Sequence, residues 1–399
     1  MLRFLTAGES HGPALTAIIE GLPAGLPLAL PEIQADLDRR RRGYGRGGRM
    51  KIEGDQAELL SGVRHGYTLG SPVTLQIRNR DWQRWQTAMA VTAANEAAEV
   101  TIDRDERLNS IATRVSAPRP GHADLAGALK YQQADIRNIL ERASARETAA
   151  RVAVGAVARR LLQEFAIEVF SGVLQIGTAC VAEPPVDLEQ YRRQVQDSPV
   201  AAPDPDASRR MMALIDQARA DGDSLGGIVE VIAQGVPPGF GSHVHWERRL
   251  DSRMAGALMS IPAIKGVAIG LGFEAATLPG SQVHDEIFYA PEHGYSRQTN
   301  RAGGIEGGIS NGELIRLRLA MKPIPTLYRP LRTVDLVSKE PVQASVERSD
   351  TCAVPAAAVV AEAMVCWVLA EALLEKCGGD HLEEVKTHYR NYLAAIRSF

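Results

Sequence analysis

The chain has 399 residues, of which 45% are hydrophobic and 23% are charged, and its formal net charge is −3. This length and composition predict a globular protein with a large hydrophobic core, and the slightly acidic balance argues against a general binder of polyanions. The four cysteines have no CxxC or other metal-binding spacing, and no basic and apolar leader stands at the N-terminus, so we expect a reduced, cytoplasmic protein.

Hydrophobic patterns predict strands and helices that alternate along the chain. The predicted strands are residues 3–6, 15–20, 73–77, 228–233, 267–269 and 314–320, and the predicted helices are residues 31–42, 146–165, 208–220, 246–258 and 355–376. Residues 183–206, with several prolines and polar side chains, are the one predicted linker or excursion. The most apolar window, 352–374, contains Glu362 and Glu371, whose carboxylates would be costly in a bilayer, so it is predicted to be a core helix.

An internal repeat relates the two parts of the chain. Gly-Glu-Ser-His-Gly at residues 8–12, a strand and Gly-Leu-Pro-Ala-Gly at 21–25 correspond to Gly-Asp-Ser-Leu-Gly at 222–226, a strand and Gly-Val-Pro-Pro-Gly at 235–239. A predicted amphipathic helix follows each copy. This order predicts two related halves around a pseudo-twofold axis, with a boundary near residue 200.

A glycine-rich segment, residues 300–312, fits the interior of neither a helix nor a strand. Glycine allows positive φ values and close approach of the backbone at an entropic cost, so we interpret this segment as backbone that presses against a bound ligand. A flexible surface loop is the alternative. Ile305 and Ile309 argue against it, because they indicate an anchored segment.

Two familiar patterns occur outside the structural context that they need. Residues 8–12 match GxSxG, the nucleophile elbow of hydrolases, but too few residues precede them to supply an oxyanion hole. Residues 43–48 match the dinucleotide fingerprint GxGxxG, but they follow the arginine-rich end of a predicted helix instead of a strand. No Walker-type sequence is present, and the nine histidines show no HxxxH or HExxH spacing, which leaves a catalytic metal without evident ligands.

Several segments together predict a pocket for a small, strongly anionic ligand. His11 and His122 lie in short loops that contain glycine, and imidazole can exchange a proton near neutral pH. Arginines crowd residues 39–49, which in an acidic chain suits a pocket better than a nucleic-acid surface. Residues 142–148 open a predicted helix, whose free N–H groups favour an anion, and residues 322–326 add an ammonium and a hydroxyl group.

Seven ordered motifs closely resemble those of the chorismate synthase family. They are residues 8–12, 39–50, 119–124, 144–149, 300–312, 322–326 and 348–356, and the resemblance runs from Phe4 to about Met364. It implies an α+β fold, a β-α-β sandwich with an internal pseudo-twofold repeat. It also implies a single large domain over residues 1–399, with related halves of about 1–200 and 201–399.

The resemblance also implies the reaction. Members of the family catalyse the anti-1,4-elimination of phosphate from 5-enolpyruvylshikimate 3-phosphate, which gives chorismate, the last step of the shikimate pathway. They are carbon–oxygen lyases that require reduced FMN without net redox change, and NADPH serves only indirectly, to reduce the flavin. A cytoplasmic homotetramer without nucleic-acid or membrane partners is expected.

Three residues are implied to be catalytic. His11 would protonate the departing phosphate, His122 would hold the flavin in its productive protonation state, and Asp350 would relay a proton at flavin N5. The residues implied to bind the substrate are Ser10, Arg40, Arg46, Arg49, Arg119, Arg146 and Arg348. The residues implied to bind the cofactor are Arg142, Ala143, Ser144, Pro262, Ala263, Gly307, Lys322, Pro323, Ile324, Pro325, Thr326 and Arg348. In this family, Arg40 and Arg46 are sometimes assigned to the binding of NADP. A guanidinium fork matches carboxylate and phosphate groups, so we favour binding of the substrate by these two arginines.

Two alternatives stay open. A bifunctional form would also reduce its own flavin with NADPH, but the dinucleotide pattern fails on context, which favours dependence on external reduced FMN. An RNA-binding module is the alternative from another class, since residues 39–49 mix glycine with arginine. Apart from Tyr44, that segment lacks the interleaved aromatic side chains on which bases stack.

Overall fold

The computed structural model describes residues 1–48, 53–92, 114–292, 294–346 and 349–399. The described strands are β1 Arg3–Ala7, β2 Ala14–Glu20, β3 Ala57–Ser61, β4 Val63–Arg64, β5 Tyr67–Thr68, β6 Val73–Arg78, β7 Glu168–Ile176, β8 Ala179–Cys180, β9 Gly227–Gln234, β10 Ile264–Ile269, β11 Ile287–Ala290, β12 Gly294–Arg297, β13 Ile305–Glu306, β14 Ile309–Ser310, β15 Ile315–Met321, β16 Arg332–Val334 and β17 Pro341–Gln343. The described α-helices are α1 Leu30–Arg41, α2 Trp82–Trp85, α3 Asp124–Tyr131, α4 Arg137–Ala143, α5 Thr148–Gln163, α6 Leu188–Asp197, α7 Pro205–Ala220, α8 Leu250–Met259, α9 Val354–Cys377 and α10 Leu382–Arg397.

The first main sheet is antiparallel and has the strand order β1-β2-β6-β3. In β2, the buried residues Leu15, Ala17 and Ile19 alternate with more exposed ones. Leu15 pairs with Ile77 and Ala17 with Leu75 on the neighbouring β6. This period of two residues gives the sheet one apolar face, which points into the protein.

The second main sheet has the strand order β10-β15-β9-β7-β8, again with antiparallel neighbours. Its central strand β9 buries Val229 and Val231, which pair with Leu319 and Leu317 of β15. Side chains on this face therefore form the second wall of the core.

Helices fill the space between the two sheets. Helix α5 packs against β2 and β6 of the first sheet, α9 packs against β7 and β9 of the second, and the two helices pack on each other. A Cβ atom at Gly155 would lie 2.3 Å from the Cβ atom of Ala363, so this close approach of α5 and α9 requires glycine. The arrangement confirms the predicted α+β fold and its β-α-β sandwich.

Helix α9 forms the centre of this layer. Among the described residues it is the one helix long and apolar enough to cross a membrane, with a mean hydropathy of 2.0, but 89% of that apolar window is buried inside the protein. It is a core helix, as predicted, because the second sheet and the neighbouring helices cover its apolar surface.

The two copies of the predicted repeat share their local conformation. Gly8 and Gly222, which open the copies, have φ values of 109° and 70°, and Gly21 and Gly235, which follow the strands, have φ values of 91° and 79°. The strands between them, β2 and β9, belong to different sheets, and α1 and α8 come after them. The division of the chain into two related halves stays a prediction.

The predicted main-sheet strands and helices are confirmed in position, with two corrections. Residues 183–206 are no linker, since they contain α6, whose Tyr191 is fully buried with its ring 5.8 Å from that of Phe170. The predicted helix 246–258 is a short 3-10 turn, Trp246–Arg248, followed by α8. The periodicity of the sequence does not show the contact of Tyr191 with Phe170, which holds α6 in place. It also does not show that the helical segment is interrupted at Arg249.

Candidate active site

A cavity of about 460 Å³ brings together segments that lie far apart in the sequence. It is lined by the β1–β2 loop, the segment after α1, the loop before α3, the end of α4 and the start of α5, the turn between α8 and β10, the segment after β15, and the start of α9. Its cationic lining residues are Arg40, Arg46, Arg119, Arg146 and Lys322. Asp350 is the one carboxylate among its described lining residues, so the cavity favours an anionic ligand.

His11 lies at the cavity with its ring held on one edge and one face. Its Nδ1 atom lies 2.9 Å and 3.0 Å from the two carboxylate oxygens of Glu141, and its backbone N–H donates to Glu141 Oε2 at 2.8 Å. The ring stacks on Trp85, with 3.9 Å between the ring centroids. Burial raises the pKa of Glu141, but the hydrogen bonds from His11 outweigh burial and lower that pKa. An ionised carboxylate only accepts hydrogen bonds, so Nδ1 of His11 carries a proton and Nε2 is the atom left for a ligand.

His122 has a similar carboxylate partner. Its Nδ1 atom lies 2.5 Å from Oδ1 of Asp124, and Arg119 donates from Nε to Oδ2 of the same carboxylate at 2.8 Å. Burial raises the pKa of Asp124, but the hydrogen bonds from His122 and Arg119 outweigh burial and hold that pKa well below its usual value. Arg119 also donates to Thr326 Oγ1 at 3.0 Å, which links this loop to the segment after β15.

Arg40 and Arg146 share one buried carboxylate, Asp55. Arg40 donates to Asp55 Oδ2 at 3.0 Å and to Thr148 Oγ1 at 3.0 Å. Arg146 donates to Asp55 Oδ1, and its Nε and terminal nitrogen donate to Asn79 Oδ1 at 3.0 Å and 2.8 Å. Burial lowers the pKa of Arg40 to about 10. Arg146 also lies 3.6 Å from Glu53, so two buried carboxylates of the protein fix both guanidinium groups and offset their charge.

Asp350 and Arg46 form an ion pair at the same cavity. Arg46 lies 2.9 Å from Asp350 Oδ2, and the backbone N–H of Gly47 donates to Asp350 Oδ1 at 2.6 Å. The segment after α1 is thereby tied to the segment that leads into α9. On another side of the cavity, Ser10 Oγ donates to Ser144 Oγ at 3.1 Å, so two hydroxyl groups stand next to His11.

The remaining wall of the cavity is apolar. It is formed by Ile261, Met321, Ile324, Pro325, Ala353, Ala356, Ala357 and Val360. At its edge, Lys322 donates from Nζ to the carbonyl oxygen of Gly121, and Ala263 adopts a left-handed φ of 69°, a strained conformation of the kind that clusters at functional sites. An apolar wall with an ammonium group at its edge fits a flat aromatic cofactor that carries a phosphate.

A larger cavity of about 900 Å³ lies beside α1, β7 and α9. Two of its four arginines, Arg39 and Arg159, are already bound to Glu362, and Arg39 donates to both carboxylate oxygens at 2.7 Å and 2.8 Å. Burial raises the pKa of Glu362, but the two guanidinium groups outweigh burial and lower that pKa to about 2. None of its described lining residues is a histidine, so we assign the chemistry to the smaller cavity. The described residues also hold no group of three or more His, Cys, Asp or Glu that could bind a metal ion.

Comparison with known proteins gives one family for the whole fold. A family model described as chorismate synthase matches residues 2–374 of the chain. The chain belongs to the chorismate synthase family. The chorismate synthase of Moorella thermoacetica is 61% identical over 399 residues, which cover 99% of this chain and 100% of the relative, and that of Desulforamulus reducens is 60% identical over 399 residues, with 100% of both covered. A solved structure described as a crystal structure of chorismate synthase is 46% identical, has a TM-score of 0.78, and matches 100% of this chain and 99% of its own.

Most of the residues that the chorismate synthase resemblance implies meet in the smaller cavity. Those that line it are Ser10, His11, Arg40, Arg46, Arg119, His122, Ala143, Ser144, Arg146, Pro262, Ala263, Lys322, Ile324, Pro325, Thr326 and Asp350. Three lie elsewhere: Arg142 donates to Thr6 and Gly8 on the first sheet, and neither Pro323 nor Gly307 lines the cavity. Arg49 and Arg348 lie outside the described residues.

The glycine-rich segment 300–312 of the chorismate synthase motifs packs against the protein itself. A Cβ atom at Gly303 would lie 2.3 Å from the backbone nitrogen of Gly270, and one at Gly304 would lie 2.6 Å from the carbonyl oxygen of Leu314. Gly307 is exposed, with no neighbouring atom within 4 Å of such a Cβ. At Gly303 and Gly304 the predicted close approach is made to the protein's own backbone, whereas the contact of Gly307 with a ligand stays a prediction.

Four side chains that hold the site were not predicted. They are Asp55, Trp85, Asp124 and Glu141. Glu141 is a helical neighbour of Arg137 at i,i+4, a spacing that predicts an ion pair on α4 but says nothing of His11, which is 130 positions away. Only the tertiary structure reveals such a contact.

Proposed function

We propose that the chain is a carbon–oxygen lyase that converts 5-enolpyruvylshikimate 3-phosphate into chorismate and phosphate by anti-1,4-elimination, the last step of the shikimate pathway. Membership of the chorismate synthase family supports this reaction. The observation that carries the proposal is that one cavity holds His11, with Nε2 available, together with His122, Asp350 and the cationic lining residues.

The charge of the cavity suits this substrate. The substrate has two carboxylates and a phosphate monoester, which by itself carries a charge of about −1.5 to −2 near neutral pH. Arg46 binds Asp350, the one carboxylate in the described lining, whereas Arg119, Arg40 and Arg146 are held by Asp124 and Asp55, which do not line the cavity. We propose that all four line the substrate site, with Arg46 as the more adaptable binding group.

The protein's own groups can move the protons that the elimination requires. When both of its ring nitrogens are protonated, His11 donates a proton from Nε2 to the departing phosphate, with the hydroxyl groups of Ser10 and Ser144 next to it. His122, supported by Asp124, holds a proton on another side of the cavity. Asp350, the one carboxylate in the described lining, accepts the proton that leaves the ring and passes it on to solvent, which balances the proton that His11 gives to the phosphate.

The apolar wall is the proposed site of reduced FMN, which when bound supplies an electron-rich centre that assists the loss of phosphate and proton without net redox change. Lys322 and Thr326 would hold its polar groups, and Ala143, Ser144, Pro262, Ala263, Ile324 and Pro325 would contact it. The packed wall also excludes water from the reacting groups. Contacts of Arg142, Gly307, Pro323 and Arg348 with the cofactor stay predictions.

We further propose a cytoplasmic homotetramer that takes reduced FMN from an external reductase, with NADPH acting only through that reductase. The family resemblance supports this assembly and cofactor supply, and four free thiols, three of them buried, suit a reducing compartment. The net charge of −3 argues against nucleic acid as a partner, and the burial of α9 argues against a membrane. Sedimentation velocity tests the assembly, and a monomer at micromolar concentration would contradict it.

Anaerobic incubation with photoreduced FMN and 5-enolpyruvylshikimate 3-phosphate tests the reaction. We expect equal amounts of phosphate and chorismate from the wild type, and neither product with oxidised FMN. Aerobic incubation with NADPH and FMN alone tests the bifunctional alternative. If anaerobic incubation yields neither product while FMN and substrate both bind, the proposed reaction is wrong.

A further inference from the structure

We infer that Glu141 is a positioning residue for His11, which it holds in the Nδ1–H tautomer with Nε2 directed at the reacting phosphate. The inference rests on the proposed function. It assigns a role to a side chain that does not itself line the cavity.

Three hydrogen bonds converge on this one carboxylate. The ring and the backbone N–H of His11 both donate to it, and Arg137, one turn earlier on α4, donates to Oε1 at 3.2 Å. Glu141 is 2% exposed, so water does not compete for these bonds. The neighbouring Ser10 N–H donates to the backbone carbonyl of Glu141 at 3.0 Å, which ties the loop to the end of α4 through both main chain and side chain.

The opposite constraint comes from Trp85. Its ring stacks on the His11 ring at an interplanar angle of 20°, and the guanidinium of Arg137 lies 4.9 Å from the centroid of the same indole. The imidazole is therefore fixed by a carboxylate at Nδ1 and by an aromatic face, and Arg137 contacts both partners. Together, the Glu141 carboxylate and the Trp85 ring leave a single orientation for Nε2 of His11.

An ionised carboxylate at this place also has a chemical consequence. When Nε2 takes up a proton between turnovers, the positive charge on the ring is balanced by Glu141 at hydrogen-bond distance. A second histidine of the cavity has the same device, since His122 Nδ1 meets Asp124, which Arg119 also binds. Both histidines thus share one pattern of imidazole, buried carboxylate and arginine.

The alternative is that Glu141 only neutralises Arg137 within the fold. Glu141→Gln distinguishes the two, because glutamine has one acceptor oxygen and cannot satisfy the three donors that the carboxylate serves. Glu230→Gln is the matched control: Glu230 is also buried, 4% exposed, and faces an arginine, Arg316, at 3.7 Å, but it lies outside the cavity.

The test measures kcat and KM of the full-length enzyme with photoreduced FMN. For Glu141→Gln we expect kcat to fall by about 10²-fold, as for other residues that orient a functional histidine, while KM for the substrate stays within about threefold. In the His11→Ala background, the same change should cost less than about twofold, because its effect passes through His11. Glu230→Gln should keep wild-type kcat. If Glu141→Gln fails to fold by circular dichroism, Glu141→Asp, which withdraws the charge by one methylene group, should show a loss of about tenfold confined to kcat.

Wild-type kcat in Glu141→Gln, an equal loss with and without His11, or an equal loss in the Glu230→Gln control would overturn the inference. If the wild type itself forms no chorismate, the proposed function fails, and the inference is then decided by nitrogen NMR of histidine-labelled protein. We expect the signal that disappears in His11→Ala to report the Nδ1–H tautomer in the wild type and to change in Glu141→Gln. The Nε2–H tautomer in the wild type would contradict the role of Glu141.

Discussion

The contact between Gly155 and Ala363 offers a direct test of how the fold sets the geometry of the site. In Gly155→Ala, the new Cβ atom would lie 2.3 Å, 2.5 Å and 2.7 Å from the Cβ, Cα and carbonyl oxygen of Ala363. Carbon atoms normally meet at about 3.5 Å, so α5 and α9 must separate locally by about 1 Å. Two of the three atoms belong to the backbone, and no change of rotamer can relieve the clash.

The energetic cost follows from two opposing effects. Overpacking of a core costs about 1–3 kcal/mol, and a clash with backbone belongs at the upper end of that range. Alanine in a helix gains about 1 kcal/mol over glycine. We therefore expect Gly155→Ala to lose about 2 kcal/mol of unfolding free energy.

The same displacement should reach the active site. Arg146 and Ser144 lie just before α5, and Asp350 lies just before α9, so the packing of the two helices sets the distance between opposite sides of the cavity. A misplacement of about 1 Å can cost about 10²-fold in rate. We therefore expect a loss of about tenfold to a hundredfold in kcat/KM along with the loss of stability.

Urea unfolding followed by circular dichroism measures the stability, and phosphate release measures the activity. Gly256→Ala is the matched control, since Gly256 also lies inside a helix, α8, but a Cβ atom there meets no atom within 4 Å. That variant should gain up to about 1 kcal/mol. A Gly155→Ala variant as stable as the wild type would refute the packing argument, and an unstable variant with full activity would refute its link to the cavity.

Three further predictions concern single charged groups. His122→Ala should lower turnover by about 10²–10⁴-fold while FMN affinity stays within about tenfold, because a proton-transfer group is lost and the apolar wall is kept; unchanged turnover contradicts the proton role. Arg46→Ala should weaken substrate binding, and the difference from the wild type should shrink as salt screens the charge, which a titration at low and high ionic strength measures; wild-type affinity at low salt would reject this role. The folded-state pKa of Glu362 lies at about 2, below the ordinary 4.5, so its stabilisation is complete above pH 4.5 and is lost as pH falls towards 2. Between these values the unfolding free energy of the wild type should fall more steeply than that of Glu362→Gln, and equal slopes would contradict the assignment.

The elements that could be predicted are those with a clear local pattern. The alternating apolar residues of β2 and the long apolar run of α9 are visible without any partner, and both occur where predicted. The linker prediction was wrong at Tyr191. The surrounding sequence is polar and rich in proline, and the burial of this one aromatic side chain depends on its contact with Phe170 of β7. Local composition cannot reveal such a contact.

The candidate site divides in the same way. Short motifs identified His11, His122, Asp350 and most of the cationic residues that meet in the cavity. They did not reveal that Asp55 binds both Arg40 and Arg146, so that the protein itself already holds two of the expected substrate ligands. Asp55 and Glu141 lie outside the motifs, because any buried carboxylate of the right reach can serve, whereas Asp124 ends the motif at residues 119–124 without a role having been assigned to it.

The sequence by itself determined which side chains can donate protons or carry positive charge, and where the strands and helices with a clear apolar period form, because these properties depend on residue type and on periods of two or 3.6 residues. The tertiary structure alone decided which nitrogen of His11 is available and which arginines the protein holds for itself. These depend on contacts such as that between His11 and Glu141, 130 positions apart, which exist only once α4 and the β1–β2 loop have packed together.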